Sequence, residues 1–215
     1  MNTFTVITST CLPIINENID TDQIVPARFL KITKREGFGR YLFYDWRFDQ
    51  VGRARSNNKF DSSNYGTAKI LVVGNNFGCG SSREHAVWAI ADYGFRVVIS
   101  SSFGDIFYNN ALKNALLCVL LKPKELEILF QVIQEDKNIE VTVDLEKQAL
   151  ILRPIMTVFA RGPLANAFGT GQKLVFHFDI DSFRKRCLIK GVDELGYILS
   201  FEERISEYEA RIFNF

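Results

Sequence analysis

Three short apolar runs, separated by helical patterns, constrain the fold of this 215-residue chain more than any other feature. The runs are KILVVG at 69–74, FRVVISS at 95–101 and LLCVLL at 116–121. Continuous apolar runs of this length are typical of strands buried on both faces of a sheet. The intervening segments predict one helix over about 83–93, ended by Gly94, and another within 103–115. Alternation of this kind favours an α/β fold.

Further elements are predicted on either side of this central part. Residues 139–152 alternate between apolar and polar side chains around a polar turn, which is typical of two antiparallel strands. Pro123 is a favoured first residue of a helix. Ser200 and Glu203 form a Ser-x-x-Glu pattern that predicts a capped final helix. The predicted elements are a strand at 3–8, a helix from Pro123, a hairpin at 139–152, a strand within 173–180, a helix within 181–191 and the final helix after Ser200. We expect a single domain over residues 1–215, with a mixed sheet.

Three segments lack a sustained period. Residues 16–29 (NENIDTDQIVPARF) predict a turn followed by extended chain. Residues 29–65 are rich in aromatic side chains but interrupted by polar residues and glycines, which predicts a short helix and long loops. We expect these loops to be mobile in the isolated chain, because they would lack a packing surface. Residues 153–171 predict no element.

Composition excludes several classes of protein. There are 26 basic and 25 acidic residues, a net charge of +1, which argues against a large nucleic-acid surface. No apolar run reaches the roughly 20 residues that a membrane span needs, and the amino terminus lacks the pattern of a signal peptide. With four dispersed cysteines and two histidines, a metal or iron–sulfur site built from this chain alone is not expected. These features favour a cytoplasmic protein without a metal of its own.

The most reactive stretch is the glycine loop, residues 74–83, with sequence GNNFGCGSSR. A buried strand, a glycine-rich turn and a helix start together form an anion site, because the first turn leaves unpaired N–H groups. Gly78, Cys79 and Gly80 would bring the backbone close to a ligand, and Arg83 would add a planar fork suited to a carboxylate or phosphate.

A purely structural reading of the same loop is equally compatible with its residues. Ser81 and Glu84 match a capping box at the start of the helix, and Cys79 fits a small packed side chain. His85, one turn after Ser81, could serve as its base or make a structural hydrogen bond. The patterns of P-loops, hydrolase elbows and dinucleotide-binding loops are absent. A serine could act as a base here only if N–H donors and a cation stabilised its alkoxide.

Four segments in order resemble the small subunits of 3-isopropylmalate dehydratases, in the aconitase superfamily. The resemblance covers about 180 residues, and the glycine loop carries its most specific part. The segments are NIDTDQIVPARFLK at 18–31, NFGCGSSREHA at 76–86, DIFYNNALKNALL at 105–117 and GVDELGYIL at 191–199.

The resemblance implies the aconitase-type swivelling domain, a layered β/β/α fold. It also implies a separate large subunit that carries a [4Fe–4S] cluster, and a hydro-lyase reaction in leucine biosynthesis. That reaction interconverts 2-isopropylmalate and 3-isopropylmalate through 2-isopropylmaleate. By resemblance, Ser81 is the catalytic base, Ser82 and Arg83 bind a substrate carboxylate, and Asp22 belongs to the active site. Without the resemblance, Asp22 fits an Asx-turn.

Two other functions stay open at this point. The first is the small subunit of a related hydro-lyase, acting on homoaconitate or a methylmalate (citraconate) type of substrate. Aconitase itself uses an arginine in the neighbourhood of residues 31–35, where this chain reads KITKR, whereas residues 29–48 could supply an apolar wall for an isopropyl group. The second is a non-catalytic module that binds anions without a partner, which would not need the DTDQI segment beside the glycine loop.

Overall fold

The computed structural model describes residues 3–56, 58–60, 65–152 and 173–213. Residues 153–171, for which the sequence predicts no element, therefore lie outside the described residues. The strands are β1 (Val6–Ser9), β2 (Cys11–Ile14), β3 (Ile70–Val73), β4 (Val97–Ser100), β5 (Leu117–Leu120), β6 (Val141–Asp144), β7 (Ala149–Leu152) and β8 (Leu174–His177). The helices are α1 (Thr21–Ile24), α2 (Tyr44–Arg47), α3 (Glu84–Tyr93), α4 (Asp105–Lys113), α5 (Pro123–Glu135), α6 (Ser182–Lys190), α7 (Glu194–Leu199) and α8 (Glu202–Phe213).

The strands form two sheets of different kinds. One is entirely parallel, in the order β2-β3-β4-β5, and the other is entirely antiparallel, in the order β1-β6-β7-β8. The expected α/β class is confirmed, and the two kinds of pairing expected in one mixed sheet are instead divided between two sheets. β3 bonds to strands on both sides, and all four of its residues are buried. Its continuous apolar run matches that position, since helices or a second sheet cover both faces of a parallel sheet.

Two clusters of apolar side chains cover the two faces of the parallel sheet. Ile70 and Val72 of β3 belong to a cluster with α5 and the antiparallel sheet. Leu71 and Val73 belong to a second cluster with α3 and α4. Successive side chains of a strand point to opposite faces, so each strand of the parallel sheet contributes to both clusters. The result is a layered arrangement of antiparallel sheet, parallel sheet and helices.

Several local predictions are confirmed. α3 ends at Gly94, whose φ of 118° is in the left-handed region that glycine tolerates at a helix end. α5 begins at Pro123, and Leu126, Leu129 and Ile133 are buried along one face. The hairpin predicted within 139–152 is the antiparallel pair β6 and β7.

The predicted turn in residues 16–29 is wrong, because this segment contains helix α1. The Asp20 side chain accepts a hydrogen bond from the N–H of Gln23, and the Gln23 side chain accepts one from the N–H of Asp20. This reciprocal pair stabilises a single helical turn that is too short to show a hydrophobic period.

The segment between residues 29 and 60 has the short elements that were expected, but not the expected lack of a packing surface. It contains a 3₁₀ turn at Phe38–Tyr41 and helix α2. Phe38, Leu42 and Phe43 are almost completely buried, in the same cluster as α3. The reason given for mobility therefore does not hold for this part of the segment, since aromatic side chains dominate core packing.

No helix in the described ranges is long and apolar enough to cross a membrane.

Candidate active site

The glycine loop lies at the carboxyl edge of the parallel sheet. It follows β3, and the segments after β2 and β4 flank it: Asp20 forms an isolated β-bridge with Cys79, and Phe77 forms one with Phe103. In open α/β sheets this edge is where ligands bind, because loops from neighbouring strands converge there. The loop therefore has the position of a binding site as well as the sequence of one.

Backbone hydrogen bonds hold the glycine loop from both sides. On one side, the N–H of Gly78 donates to the carbonyl of Ile19 at 2.7 Å, and the N–H of Thr21 donates to the carbonyl of Cys79 at 3.1 Å. On the other side, the N–H of Phe77 donates to the carbonyl of Ser102 at 3.2 Å. These bonds fix the path of the loop without using a serine or arginine side chain.

The backbone conformations at positions 78 and 80 both require glycine, but the surroundings of Gly78 and Gly80 differ. Their φ angles are 72° and 87°, in the region that L-residues rarely adopt. A Cβ on Gly78 would lie 2.4 Å from the ring of Phe107, whereas one on Gly80 would lie no closer than 3.6 Å, from the Cβ of Asp20. Gly78 therefore allows close packing on α4, and Gly80 allows a change of chain direction just before Ser81.

Ser81 is not the cap of α3. The helix begins at Glu84, with Arg83 as the N-cap in an extended conformation and no side-chain capping bond. The predicted capping box of Ser81 and Glu84 is therefore wrong, because the N-cap lies two residues later than that pattern requires. The carbonyl of Ser81 instead accepts a hydrogen bond from the Thr21 hydroxyl at 3.0 Å.

Ser81 and Ser82 are both exposed. Within the described residues, their N–H and O–H groups form no hydrogen bond to another part of the chain, so they are available to a ligand. Two serines with free donors, on a loop whose backbone is fixed, form an arrangement suited to binding an anion.

Arg83 and Asp22 form an ion pair beside these serines. Both terminal nitrogens of Arg83 donate to the Asp22 carboxylate, one of them to Oδ2 at 2.9 Å. The Arg83 side chain is 15% exposed and that of Asp22 is 54% exposed. The hydrogen bond from Arg83 holds the pKa of Asp22 below its usual value, although partial desolvation opposes this. The structure thus brings together two predicted site residues that are 61 positions apart in the chain.

The contacts of Cys79 and His85 are structural. Cys79 is half-buried in the bridge to Asp20. The His85 ring packs between the rings of Phe38 and Trp88, with centroids at 5.5 and 4.6 Å. Neither alternative suggested for His85 is seen among the described contacts, because its ring lies among aromatic side chains and not against Ser81.

The described residues contain no group of three or more His, Cys, Asp or Glu side chains that could hold a metal ion. Cys11 and Cys118 are buried, and burial raises the pKa of both thiols, which makes them poor ligands and nucleophiles. The donors present at the site, the N–H and O–H groups of Ser81 and Ser82 and the guanidinium of Arg83, are suited to an anionic ligand.

Comparisons with known proteins agree with this geometry. The family model described as the aconitase C-terminal domain matches residues 1–124, which include α1 and the glycine loop. The chain is 40% identical over 211 residues to the 3-isopropylmalate dehydratase small subunit of Brevibacillus brevis, covering 98% of this chain and 100% of the relative. It is 44% identical over 211 residues to the same-named subunit of Christiangramia forsetii, covering 98% and 94%.

The chain belongs to the 3-isopropylmalate dehydratase small subunit family. A solved structure supports the fold: the crystal structure of 3-isopropylmalate dehydratase (leuD) from Methanocaldococcus jannaschii matches with a TM-score of 0.59 and 23% sequence identity. The match covers 94% of this chain and 99% of that chain. The recognised resemblance and the aconitase-type fold are thereby confirmed, and with them membership of a hydro-lyase family.

In this small-subunit family member, no sequence motif indicated the roles of Thr21 and Glu84. One carboxylate oxygen of Glu84 accepts hydrogen bonds from Asn114 Nδ2 at 3.0 Å and Trp88 Nε1 at 3.1 Å, and pairs with Arg35 at 3.2 Å. The bond from Asn114 is the main reason that the pKa of Glu84 is lowered. The i, i+4 spacing of Glu84 and Trp88 was the available signal. Nothing local indicated Asn114 or Arg35, which come from other elements.

Proposed function

We propose that this chain contributes one half of the active site of a 3-isopropylmalate dehydratase. The reaction is the isomerisation of 2-isopropylmalate to 3-isopropylmalate by loss and return of water, in leucine biosynthesis. The observation that carries the proposal is the state of Ser81: it is exposed, it does not cap α3, and its backbone is fixed beside the Arg83–Asp22 pair. A serine with a purely structural role would not need this surrounding.

Ser81 acts in this proposal as the general base. Its oxygen takes the proton from the substrate carbon next to a carboxylate and returns a proton when water is added back. A serine oxygen is a strong enough base only where its negative charge is stabilised, and the free N–H groups of Ser81 and Ser82 and the nearby Arg83 provide that stabilisation. The position of a cation and a cluster of N–H donors beside Ser81 supports this assignment.

Arg83 and Ser82 hold the substrate carboxylate. Arg83 engages Asp22 through its two terminal nitrogens, but a guanidinium carries five N–H donors in a fixed fork, so donors are left for a second anion. Asp22 fixes the plane of that fork and keeps Arg83 from rotating away from the loop. The low exposure of Arg83 also strengthens its attraction for an incoming carboxylate.

The partner is the large subunit of the enzyme. The names of the relatives describe small subunits, and the site of this chain is an exposed edge without a metal-binding group in the described residues. A [4Fe–4S] cluster on the large subunit would supply Lewis-acid chemistry at the substrate hydroxyl and carboxylate. This chain would supply the base, the carboxylate-binding residues and one wall of the closed site.

We infer one swivelling domain over 1–215, because strands of both sheets contribute to one apolar cluster. The apolar and aromatic side chains of residues 29–48 would border the isopropyl group, and Phe29 and Ile32 are partly buried against the second cluster.

We place the chain in the cytoplasm, where thiols stay reduced, since Cys11, Cys79, Cys118 and Cys187 are all free.

A reconstitution assay tests the function. The chain is mixed anaerobically with the cluster-loaded large subunit, and the unsaturated intermediate is followed by its near-ultraviolet absorbance, starting from 2-isopropylmalate. We expect turnover only with both chains and a loss in Ser81→Ala. Ser200→Ala is the matched control, because within the described part of the chain the Ser200 hydroxyl bonds only to the carbonyl of Tyr197 in α7. Stable association without turnover would point to another hydroxy acid, and full activity of Ser81→Ala would refute the role of Ser81.

A further inference from the structure

We infer that Thr21 is a positioning residue that holds Ser81 in its reactive orientation; this rests on the proposed role of Ser81. Thr21 is the first residue of α1, and only 2% of it is exposed. Its hydroxyl donates to the carbonyl oxygen of Ser81 at 3.0 Å. Its N–H donates to the carbonyl of Cys79 at 3.1 Å, two residues earlier in the glycine loop. One buried residue therefore binds the loop on both sides of Gly80.

The loop has little else to fix it at this point. Gly80 has a φ of 87°, and a Cβ there would make only ordinary van der Waals contacts, 3.6 Å from the Asp20 Cβ and 4.0 Å from the Thr21 hydroxyl oxygen, so tight packing does not fix the chain just before Ser81. Within the described residues, the bond from Thr21 is the only hydrogen bond to the backbone of Ser81. Because the allowed directions of a side chain depend on its own backbone, this bond restricts the positions open to the Ser81 oxygen.

Thr21 and Asp22 divide the task between neighbouring positions of one helical turn. Thr21 binds the backbone of Ser81, and Asp22 binds the side chain of Arg83. The helical turn is itself stabilised by the reciprocal bonds of Asp20 and Gln23. Loss of the Thr21 hydroxyl should consequently disturb Ser81 while leaving the Arg83–Asp22 pair in place, so that proton transfer suffers and carboxylate binding does not.

The variant that tests this is Thr21→Val, which keeps the shape of the side chain and removes the hydroxyl. In the reconstituted two-chain enzyme we expect kcat for 2-isopropylmalate to fall by about 10- to 100-fold, with KM within about threefold, because a small misplacement of a reacting group has effects of this size. Thr21→Ser keeps the donor and should retain kcat within about threefold. Thr21→Ala serves as a second variant if Thr21→Val does not fold or associate.

The decisive measurement is the same substitution in an enzyme that already lacks the serine oxygen. If Thr21 acts through Ser81, Thr21→Val has no further effect in the Ser81→Ala background, because residues that act as a unit are not additive. An equal additional loss in that background would show a general structural role and overturn the inference, as would wild-type kcat in Thr21→Val. Full activity of Ser81→Ala would overturn the proposed function itself, so the two failures are distinguishable.

Discussion

The chain contains two Ser-x-x-Glu patterns ahead of predicted helices, at Ser81 and at Ser200, and neither forms the capping box that the pattern predicts. Ser81 lies in an exposed loop, two residues before the N-cap of α3. Ser200 is the C-cap of α7, and its hydroxyl donates to the carbonyl of Tyr197 at 2.6 Å. Ser81 therefore lies outside any helix terminus, whereas Ser200 ends the preceding helix α7.

The two regions differ in what prevents the Ser-x-x-Glu pattern from forming a capping box. At Ser81 the register is set by distant parts of the chain: Thr21 holds the carbonyl, and Gly78 is fixed against α4. At Ser200 the override is local, since α7 extends to the residue before it. A capping pattern is worth about 1 kcal/mol, so a few tertiary hydrogen bonds or a neighbouring helix can outweigh it. Tertiary contacts therefore keep Ser81 away from the helix start, whereas Ser200 simply ends α7.

Activity separates the two serines most strongly. We expect Ser81→Ala to lower kcat of the reconstituted enzyme by about 10²- to 10⁴-fold, the range for loss of a positioned base. Ser200→Ala should leave kcat within about twofold. Both variants should change the free energy of unfolding by less than about 0.5 kcal/mol in urea titrations, since neither serine caps a helix start. A loss of about 1 kcal/mol in Ser81→Ala would instead show that the capping box forms in solution.

Two glycines near Ser81 give the next largest effect, on stability. In Gly78→Ala the new Cβ meets the ring of Phe107 and adopts a left-handed φ, so we expect a loss of about 3 kcal/mol. Gly80→Ala carries the left-handed strain alone and should lose about 1–2 kcal/mol. The free energy of unfolding of the isolated chain measures both. Equal losses would mean that the loop is not packed tightly on α4.

The central part of the fold could be predicted from the sequence because its signals are local. The residues of β3, β4 and β5 are buried on both faces of the sheet, apart from the exposed Leu120 at the end of β5, so their composition alone distinguishes them. Pro123 and Gly94 act through their own backbone restrictions and mark a helix start and a helix end without any tertiary contact.

The site could be predicted only in part, because its contacts join distant segments. Ser81, Ser82, Arg83 and Asp22 were found through motifs, but their arrangement was not: no pattern of residues shows that Arg83 pairs with Asp22. Thr21 was missed since its buried hydroxyl is meaningful only once α1 lies beside the glycine loop. The single turn of α1 shows no period, so the element that organises the site was itself predicted as a turn.

The capping box that does form, between Asp20 and Gln23 of α1, provides a comparison for the two serines. Asp20 caps α1, and we expect Asp20→Ala to lower the free energy of unfolding by about 1 kcal/mol, twice or more the effect of Ser81→Ala or Ser200→Ala. Because α1 carries Thr21 and Asp22, kcat should also fall in the reconstituted enzyme. Stability changes that are equal in all three variants would show that the hydrogen bonds of Asp20 add nothing to this helix.

The smallest expected effect concerns the Arg83–Asp22 ion pair of the Ser81 region, which has no counterpart at Ser200 among the residues that the structure describes. Arg83 lowers the pKa of Asp22 from its ordinary value of 3.8, so the pair stabilises the fold above that pH. The contribution is lost as the pH falls below 3.8 through the lowered pKa. Asp22 is half-exposed, so Asp22→Asn should cost less than about 1 kcal/mol at pH 6.

The measurement is the difference in unfolding free energy between Asp22→Asn and the unmodified chain, taken from pH 6 to about pH 2.5. We expect the difference to shrink toward zero at the acid end, because a protonated Asp22 no longer forms the ion pair. A difference that stays constant over this range would show that Asp22 acts through its shape or its remaining hydrogen bonds. The fork of Arg83 would then be held by something other than the charge of Asp22, and the ion pair would no longer distinguish the Ser81 region from that of Ser200.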